Sequence, residues 1–243
     1  MKNYKNFIIH EFEELESTNS YALNLARNAQ IFEREIIVAN LQNAGRGRMD
    51  RAWESPKGNL YFSLILQPKV SLSKIPQISF IAAAALRKAL EGVNEKGFLI
   101  QNKWPNDILI NGKKVAGILL ESETRGGELS VVVLGVGVNI LSNPQNTIFP
   151  ATNLGEFEVE ISPQKLLEKF LDEFEIFYRN WLEFGFAGVR NYWLQGGFCL
   201  EKEVKVSLGG EVLIGIFEDV DLDGSLVLRR GGEVFKVFYG DVC

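Results

Sequence analysis

The chain has almost nothing from which to build a metal centre or a disulfide framework. Its two cysteines, Cys199 and Cys243, lie far apart, and His10 is its sole histidine. No set of Cys and His stands at ligand spacing, so no residue is assigned to a metal, and both thiols are expected to be reduced and without function. Long apolar runs are missing too. The longest, Phe80 to Leu86, is far too short to cross a bilayer. The opening stretch, Met1 to Leu15, has charge on both sides of a three-residue apolar segment and so lacks the apolar region of a secretory signal. A soluble cytoplasmic protein is expected. There is no Walker glycine–lysine–serine loop and no nucleophile elbow, so the commonest ATPase and hydrolase designs lack their parts. A net charge of -5 gives no general attraction to nucleic acid.

What is present suits a folded domain of ordinary composition, with 46% hydrophobic and 23% charged residues over a length of 243. Such a chain can bury a substantial core without covalent staples. Phe7–Phe12 reads as a short strand, and Ser17 can cap a helix whose apolar residues Tyr21, Leu25 and Ala29 recur every fourth position. Ile36–Ala39 and Leu60–Leu66 read as strands on either side of a polar, basic stretch, Gln42 to Gly58. Pro76 opens a second helix through Ile78, Ile81, Ala82, Ala85, Leu86 and Leu90 that ends at Gly92. Phe98–Trp104, Ile108–Ile110, Val115–Glu121 and Leu129–Ile140 read as successive strands, with Asn111-Gly112 as a tight hairpin turn. A long amphipathic helix follows Pro163, and a shorter one spans Val189 to Leu194. From Gly196 onward, short alternating runs broken by Gly-Gly and Asp-Gly predict a small closed β-domain. The fold class expected is α+β, a mixed and largely antiparallel sheet with helices in residues 1–195, then a β-domain in 196–243.

Three segments carry candidate chemistry. Gln42 to Arg51 places Arg46, Arg48 and Arg51 between two strands together with Gly45 and Gly47. Glycine lets backbone approach an anion, and arginine presents a fixed fork of donors to phosphate or carboxylate oxygens. A solvated basic turn would look the same. Lys103-Trp104-Pro105-Asn106-Asp107 sits where one strand ends and another begins, with the lysine available as a point charge. An ordinary turn after a surface lysine fits that segment equally well. Val131 to Asn139 is a buried strand carrying Gly135 and Gly137; it is not a dinucleotide fingerprint, since no further glycine or helix follows, and close packing against another backbone explains it better. Asn139 at its end could read an adenine edge, and Trp53 could stack on a base.

Taken in order, Ser17-Thr18-Asn19, Gln42, Gly45-Arg46-Gly47-Arg48, Trp53-Glu54-Ser55-Pro56, Asn59 to Ser63, Lys103 to Asp107, Val115 to Leu119 and Gly135 to Asn139 resemble the biotin–protein ligase family, densely over residues 15–140 and weakly again at Gly240-Asp241-Val242. The resemblance implies a synthetase-like catalytic domain followed by an SH3-like β-barrel, with ATP and biotin as substrates and Mg2+ on the phosphates. Biotinyl-adenylate would form first, and biotin would then pass to a lysine of a biotin carboxyl carrier protein. It implies Arg48 and Lys103 as the catalytic residues, converging on one acyl-phosphate. It implies Ser17, Thr18, Asn19, Gln42, Arg46, Gly47, Arg48 and Lys103 at biotin, and Arg48, Arg51, Trp53, Lys103, Asn106 and Asn139 at ATP and the adenylate.

The family includes monomers and dimers, so a homodimer through a sheet edge is compatible with the resemblance. DNA binding is not expected, because Ser17 begins too near the start for a helix-turn-helix domain to precede it. The nearest alternative is a lipoate or octanoate ligase or transferase. A non-catalytic biotin sensor is the alternative of another class. The chain departs from the family at Met49-Asp50, where Arg-Gly is common, and is one residue shorter near Pro56-Lys57-Gly58-Asn59. The first departure predicts a loop that holds the adenylate less tightly.

Overall fold

A computed structural model describes residues 1–242 except 29, 31, 126, 127, 146, 148 and 209. Ala29 and Cys243, both named above, lie outside the described residues. The chain divides into two compact units. The first comprises residues 1–75, 115–147 and 151–169, and the second 76–114, 148–150 and 170–243.

The first unit is built on β1 (Lys2–Tyr4), β2 (Phe7–Phe12), α1 (Thr18–Arg27), β3 (Glu35–Ala39) and β4 (Leu60–Leu66). The second opens with α2 (Gln77–Glu91), β5 (Ile100–Lys103) and β6 (Asp107–Ile110), after which β7 (Lys113–Arg125) and β8 (Glu128–Val138) complete the first unit's sheet. That sheet runs β1-β2-β3-β4-β8-β7. Only β2 and β3 pair in parallel; the other four pairings are antiparallel. The mixed, largely antiparallel sheet expected from the sequence is therefore present.

A parallel pair needs a crossover, and α1 supplies it. The Ser17 hydroxyl caps this helix by accepting from the Ser20 N–H. Ala22 and Leu23 then bury against Ile37, Ile65, Val131 and Val133 from β3, β4 and β8. The helix spans Thr18–Arg27 and is capped by Asn28.

In the second unit β5 and β6 form an antiparallel pair, and Asn111 and Gly112 both take positive φ (48° and 77°), as the Asn-Gly turn predicted. α3 (Pro163–Phe184) starts in the first unit and continues into the second, followed by α4 (Ala187–Gln195). Trp181 donates its indole N–H to Gln77 of α2 at 2.6 Å, and Phe80 packs edge-on against Phe186 and Trp193. The chain closes with β9 (Glu203–Ser207), β10 (Val212–Val220), β11 (Leu226–Arg230), β12 (Glu233–Val237) and β13 (Asp241–Val242), an all-antiparallel sheet in the order β12-β11-β10-β9-β13. Val204, Val206, Phe217, Leu226 and Leu228 form its buried side. No helix among the described residues is long and apolar enough to cross a membrane.

Candidate active site

Ten of the twelve site residues expected from the sequence lie in the first unit. The entrance of α1 buries Ser17, Thr18 and Asn19 to 4% exposure or less. Buried polar groups need partners, and these find them on three other segments. The Thr18 backbone N–H and hydroxyl both donate to Gln42 Oε1, at 2.9 and 3.1 Å. Gln42 in turn donates to Ser55 Oγ at 2.8 Å, and the Ser55 hydroxyl donates to the Trp53 carbonyl. Ser63 of β4 places its hydroxyl between Thr18 Oγ1 (2.8 Å) and Asn19 Oδ1 (2.5 Å). Asn19 donates to Glu121 Oε2 on β7 at 2.9 Å. The result is one polar floor drawn from α1, β4, β7 and the loop before β4.

The two glycines of β8 explain why this floor fits. A Cβ at Gly135 would lie 2.2 Å from Asn19 Oδ1, and one at Gly137 would lie 2.5 Å from Trp53 Nε1. Real Cβ contacts are never that short, so the strand forgoes two side chains where Asn19 and Trp53 lie against it. Trp53 thus rests on strand backbone. Tyr61, register partner of Gly137 on β4, has its phenol pushed up to about 12 by burial; it stays protonated and donates to the Pro56 carbonyl.

The glycine–arginine segment folds as a small hairpin over residues 45–53. Arg46 pairs with Ala52 as an antiparallel bridge, the Gly47 N–H donates to the Arg51 carbonyl at 2.7 Å, and the Trp53 N–H donates to the Gly45 carbonyl at 2.8 Å. Arg46 turns inward and pairs with both oxygens of Glu121 (3.1 and 3.0 Å). Arg48 and Arg51 stand at the outer turn, where the Arg51 N–H and Nε–H both donate to the Arg48 carbonyl. Met49 and Asp50 both take left-handed backbone, with φ of 53° and 54°. A residue with a Cβ enters that region at a cost that glycine does not meet.

Asn139 follows β8 and is 2% exposed. Its amide NH2 donates to the Thr152 carbonyl at 3.0 Å, while Oδ1 is buried with no hydrogen-bond partner among the described residues. An acceptor, rather than the whole amide, is what this residue offers a ligand.

Lys103 and Asn106 belong to the second unit. Lys103 ends β5 at 5% exposure, with its ammonium 4.1 Å from the Phe149 ring centroid and 3.7 Å from Asp107 Oδ2. Phe149 is backed edge-on by Phe198. The strand is fixed by Asn102, which donates to the Trp193 carbonyl and pairs through its backbone with Gly196 and Phe198. Trp104 is buried and donates to the Gly224 carbonyl, and the Trp104–Pro105 peptide is cis. Asn106 is half-buried in this turn.

Asp107 does more than shape the turn, since its other oxygen lies 2.6 Å from Lys114 Nζ. Two ammonium groups therefore share one carboxylate. Lys114 was not singled out from the sequence, although it directly precedes the Val-Ala-Gly segment that carries part of the resemblance. Glu121 was missed as well. Cys199 is a free thiol whose pKa is raised, chiefly by burial. No group of three or more His, Cys, Asp or Glu side chains among the described residues is placed to hold a metal ion.

Residues 11–139 match the family described as Biotin/lipoate A/B protein ligase family. The chain is 36% identical over 236 residues to a biotin--[acetyl-CoA-carboxylase] ligase of Paracoccus denitrificans, a match covering 93% of this chain and 98% of that protein. A solved biotin protein ligase from Aquifex aeolicus, in complex with biotin and ATP, is similar with a TM-score of 0.83 and 26% identity, covering 97% of each chain. Another from Leishmania major, in complex with biotinyl-5-AMP, gives a TM-score of 0.61 and 29% identity over 95% of this chain and 98% of that one.

Proposed function

Because the chain belongs to the biotin/lipoate A/B protein ligase family, we propose that it activates biotin with ATP and transfers it to a lysine of the biotin carboxyl carrier protein of acetyl-CoA carboxylase. In the first step a biotin carboxylate oxygen attacks the α-phosphorus of ATP as the bond to pyrophosphate breaks. In the second, the carrier lysine's amine attacks the acyl carbon, AMP leaves, and the amine gives up a proton. The observation that carries the reading is the polar floor of Thr18, Asn19, Gln42 and Ser63 beneath a loop with three arginines. A ureido ring presents one carbonyl acceptor and two N–H donors, which hydroxyl and amide side chains can match.

Ser17, Thr18 and Gln42 line the ureido end in this reading, with Asn19 beside them, and Arg46 and Gly47 contribute backbone contacts. Arg48 offsets the charge that builds on the transferring phosphate, and Lys103 holds the biotin carboxylate and then its phosphate ester. Arg51 and Trp53 flank the adenine or phosphates, Asn139 receives a base donor at its Oδ1, and Asn106 lies nearby. Mg2+ enters with ATP as part of the substrate and neutralises phosphate charge. Residues 1–195 act as the catalytic domain, residues 196–243 as an SH3-like domain, and the reaction runs in the cytoplasm.

Apo carrier domain incubated with Mg-ATP and either biotin or lipoic acid tests the whole reading. Mass spectrometry is expected to show a biotinyl adduct that needs ATP; a lipoyl adduct alone would overturn it. Binding of biotin with no ATP-dependent pyrophosphate release would instead indicate a sensor.

The left-handed pair at Met49-Asp50 gives a second expectation. Giving the turn a glycine and a further charge, through Met49→Arg together with Asp50→Gly, removes backbone strain of about 1 kcal/mol or more at position 50. The double variant is expected to release biotinyl-adenylate several-fold more slowly than the native loop, as read by trapping free adenylate. Equal release rates would show that the native turn costs nothing in retention.

A further inference from the structure

Glu121 lies at a junction that the reaction scheme does not use. It sits on β7 and is only partly exposed, and its carboxylate meets two segments that are far apart in sequence. On one side it pairs through both oxygens with Arg46, at the base of the glycine–arginine hairpin. On the other it accepts the Asn19 amide at 2.9 Å, and Asn19 is fixed by Ser63 and pressed against Gly135. The hairpin's base is also held by the Ala44 N–H, which donates to the Glu16 carbonyl at 2.8 Å, and by Trp53, which lies against Gly137. The bonds of Arg46 with Ala52, Gly47 with Arg51 and Trp53 with Gly45 close the hairpin on itself, so the Arg46–Glu121 pair is a charged tie from it to the floor.

We infer that Glu121 is a positioning residue, a latch that ties the cationic loop to the pocket floor and so orders the loop before any ligand arrives. The inference rests on the reading of residues 45–53 as the segment that covers the ligand. A charge-assisted contact in a partly buried setting outweighs one on the open surface. The same strand face supplies the comparison, two residues on, where Glu123 pairs with the exposed Arg27 of α1. Arg27 also feels the charge of Glu121, while its Nε–H and Nη2–H donate to Glu123. Loss of Glu121 is therefore expected to loosen the loop, and loss of Glu123 to leave it as it is.

Limited trypsin digestion of the ligand-free protein reads this directly, since Arg48 and Arg51 are cleavage sites inside the hairpin. Glu121→Gln keeps an acceptor for Asn19 and removes the charge facing Arg46. It is expected to raise cleavage after Arg48 and Arg51 by about fivefold to tenfold, the equivalent of about one such contact, while Glu123→Gln cuts at the wild-type rate and both variants melt near the parent temperature. In pyrophosphate release, Glu121→Gln is expected to raise KM for biotin several-fold with kcat within about twofold, because saturating ligand orders the loop. Wild-type cleavage in Glu121→Gln, or equal acceleration by Glu123→Gln, overturns the latch. Should Glu121→Gln fail to fold, Arg46→Gln breaks the same pair from the loop side and is held to the same cleavage rates. Absence of biotin-dependent pyrophosphate release in the wild type would sink the proposed reaction and leave the digestion result standing on its own.

Discussion

Lys103→Ala is expected to slow biotinyl-adenylate formation by about two to three orders of magnitude, the range seen when one preorganised electrostatic contact to a transition state is removed. Lys103 is almost fully buried, and the Phe149 ring and the Asp107 carboxylate hold its ammonium in one place. Such a charge acts without reorganisation, which water cannot match. The fold is expected to tolerate the change, because Asp107 keeps Lys114 at 2.6 Å and no uncompensated carboxylate is left behind. Lys103→Arg is not a rescue, since a planar guanidinium neither fits a point-charge site nor keeps the same reach. Single-turnover pyrophosphate release with saturating ATP and biotin is the measurement. A folded Lys103→Ala protein that forms adenylate within about threefold of wild type would remove this lysine from the chemistry.

Gly135→Val should abolish most biotin binding while sparing much of the fold. The Cβ alone would sit 2.2 Å from Asn19 Oδ1, and Asn19 is a short, 3% exposed side chain bonded to Ser63 and Glu121. It must leave the floor or push β8 aside. Each buried polar group stripped of its partner costs about 1–3 kcal/mol, so a loss of roughly two orders of magnitude in biotin affinity is expected. Calorimetric titration with biotin reads it, with thermal melting as the companion measurement. Gly188→Ala in α4 is the matched opposite: nothing lies within 4 Å of its added Cβ, and a small gain in stability is expected. Tight biotin binding by Gly135→Val would mean that Asn19 is not part of the pocket.

How far the sequence foretold these features depended on the range of the interactions involved. β4 has the expected bounds, Leu60 to Leu66, because a seven-residue apolar run between polar loops admits little else. The Asn111-Gly112 turn and the Ser17 cap were also legible, being local chemistry. β1 was not anticipated, since Lys-Asn-Tyr has no alternation to read and depends on pairing with β2. Phe98 and Leu99 precede β5 rather than joining it, and Asn139 and Ile140 leave β8 early because their backbone turns toward Val115 and Asn59. The glycine pair in β8 invited an explanation by close packing against another backbone, and what lies against the two glycines is instead the side chains of Asn19 and Trp53. Glu121 and Lys114 stayed hidden for the opposite reason. Each acquires meaning only from a partner brought close by the fold, Arg46 across 75 positions in one case and Asp107 in the other. Lys103 and Asn106 fall in a different compact unit from the other ten expected residues, which no linear reading could have drawn.

β2 and β3 pair in parallel and are joined through α1. Chains of L-residues make such crossovers in the right-handed sense almost without exception. The connecting helix α1 is therefore assigned to one side of the sheet by the handedness of its building blocks, and the Ser-Thr-Asn triplet at its entrance goes with it. Which enantiomer of a chiral bicyclic ligand such a floor can match is in that sense inherited from the chirality of the polypeptide itself.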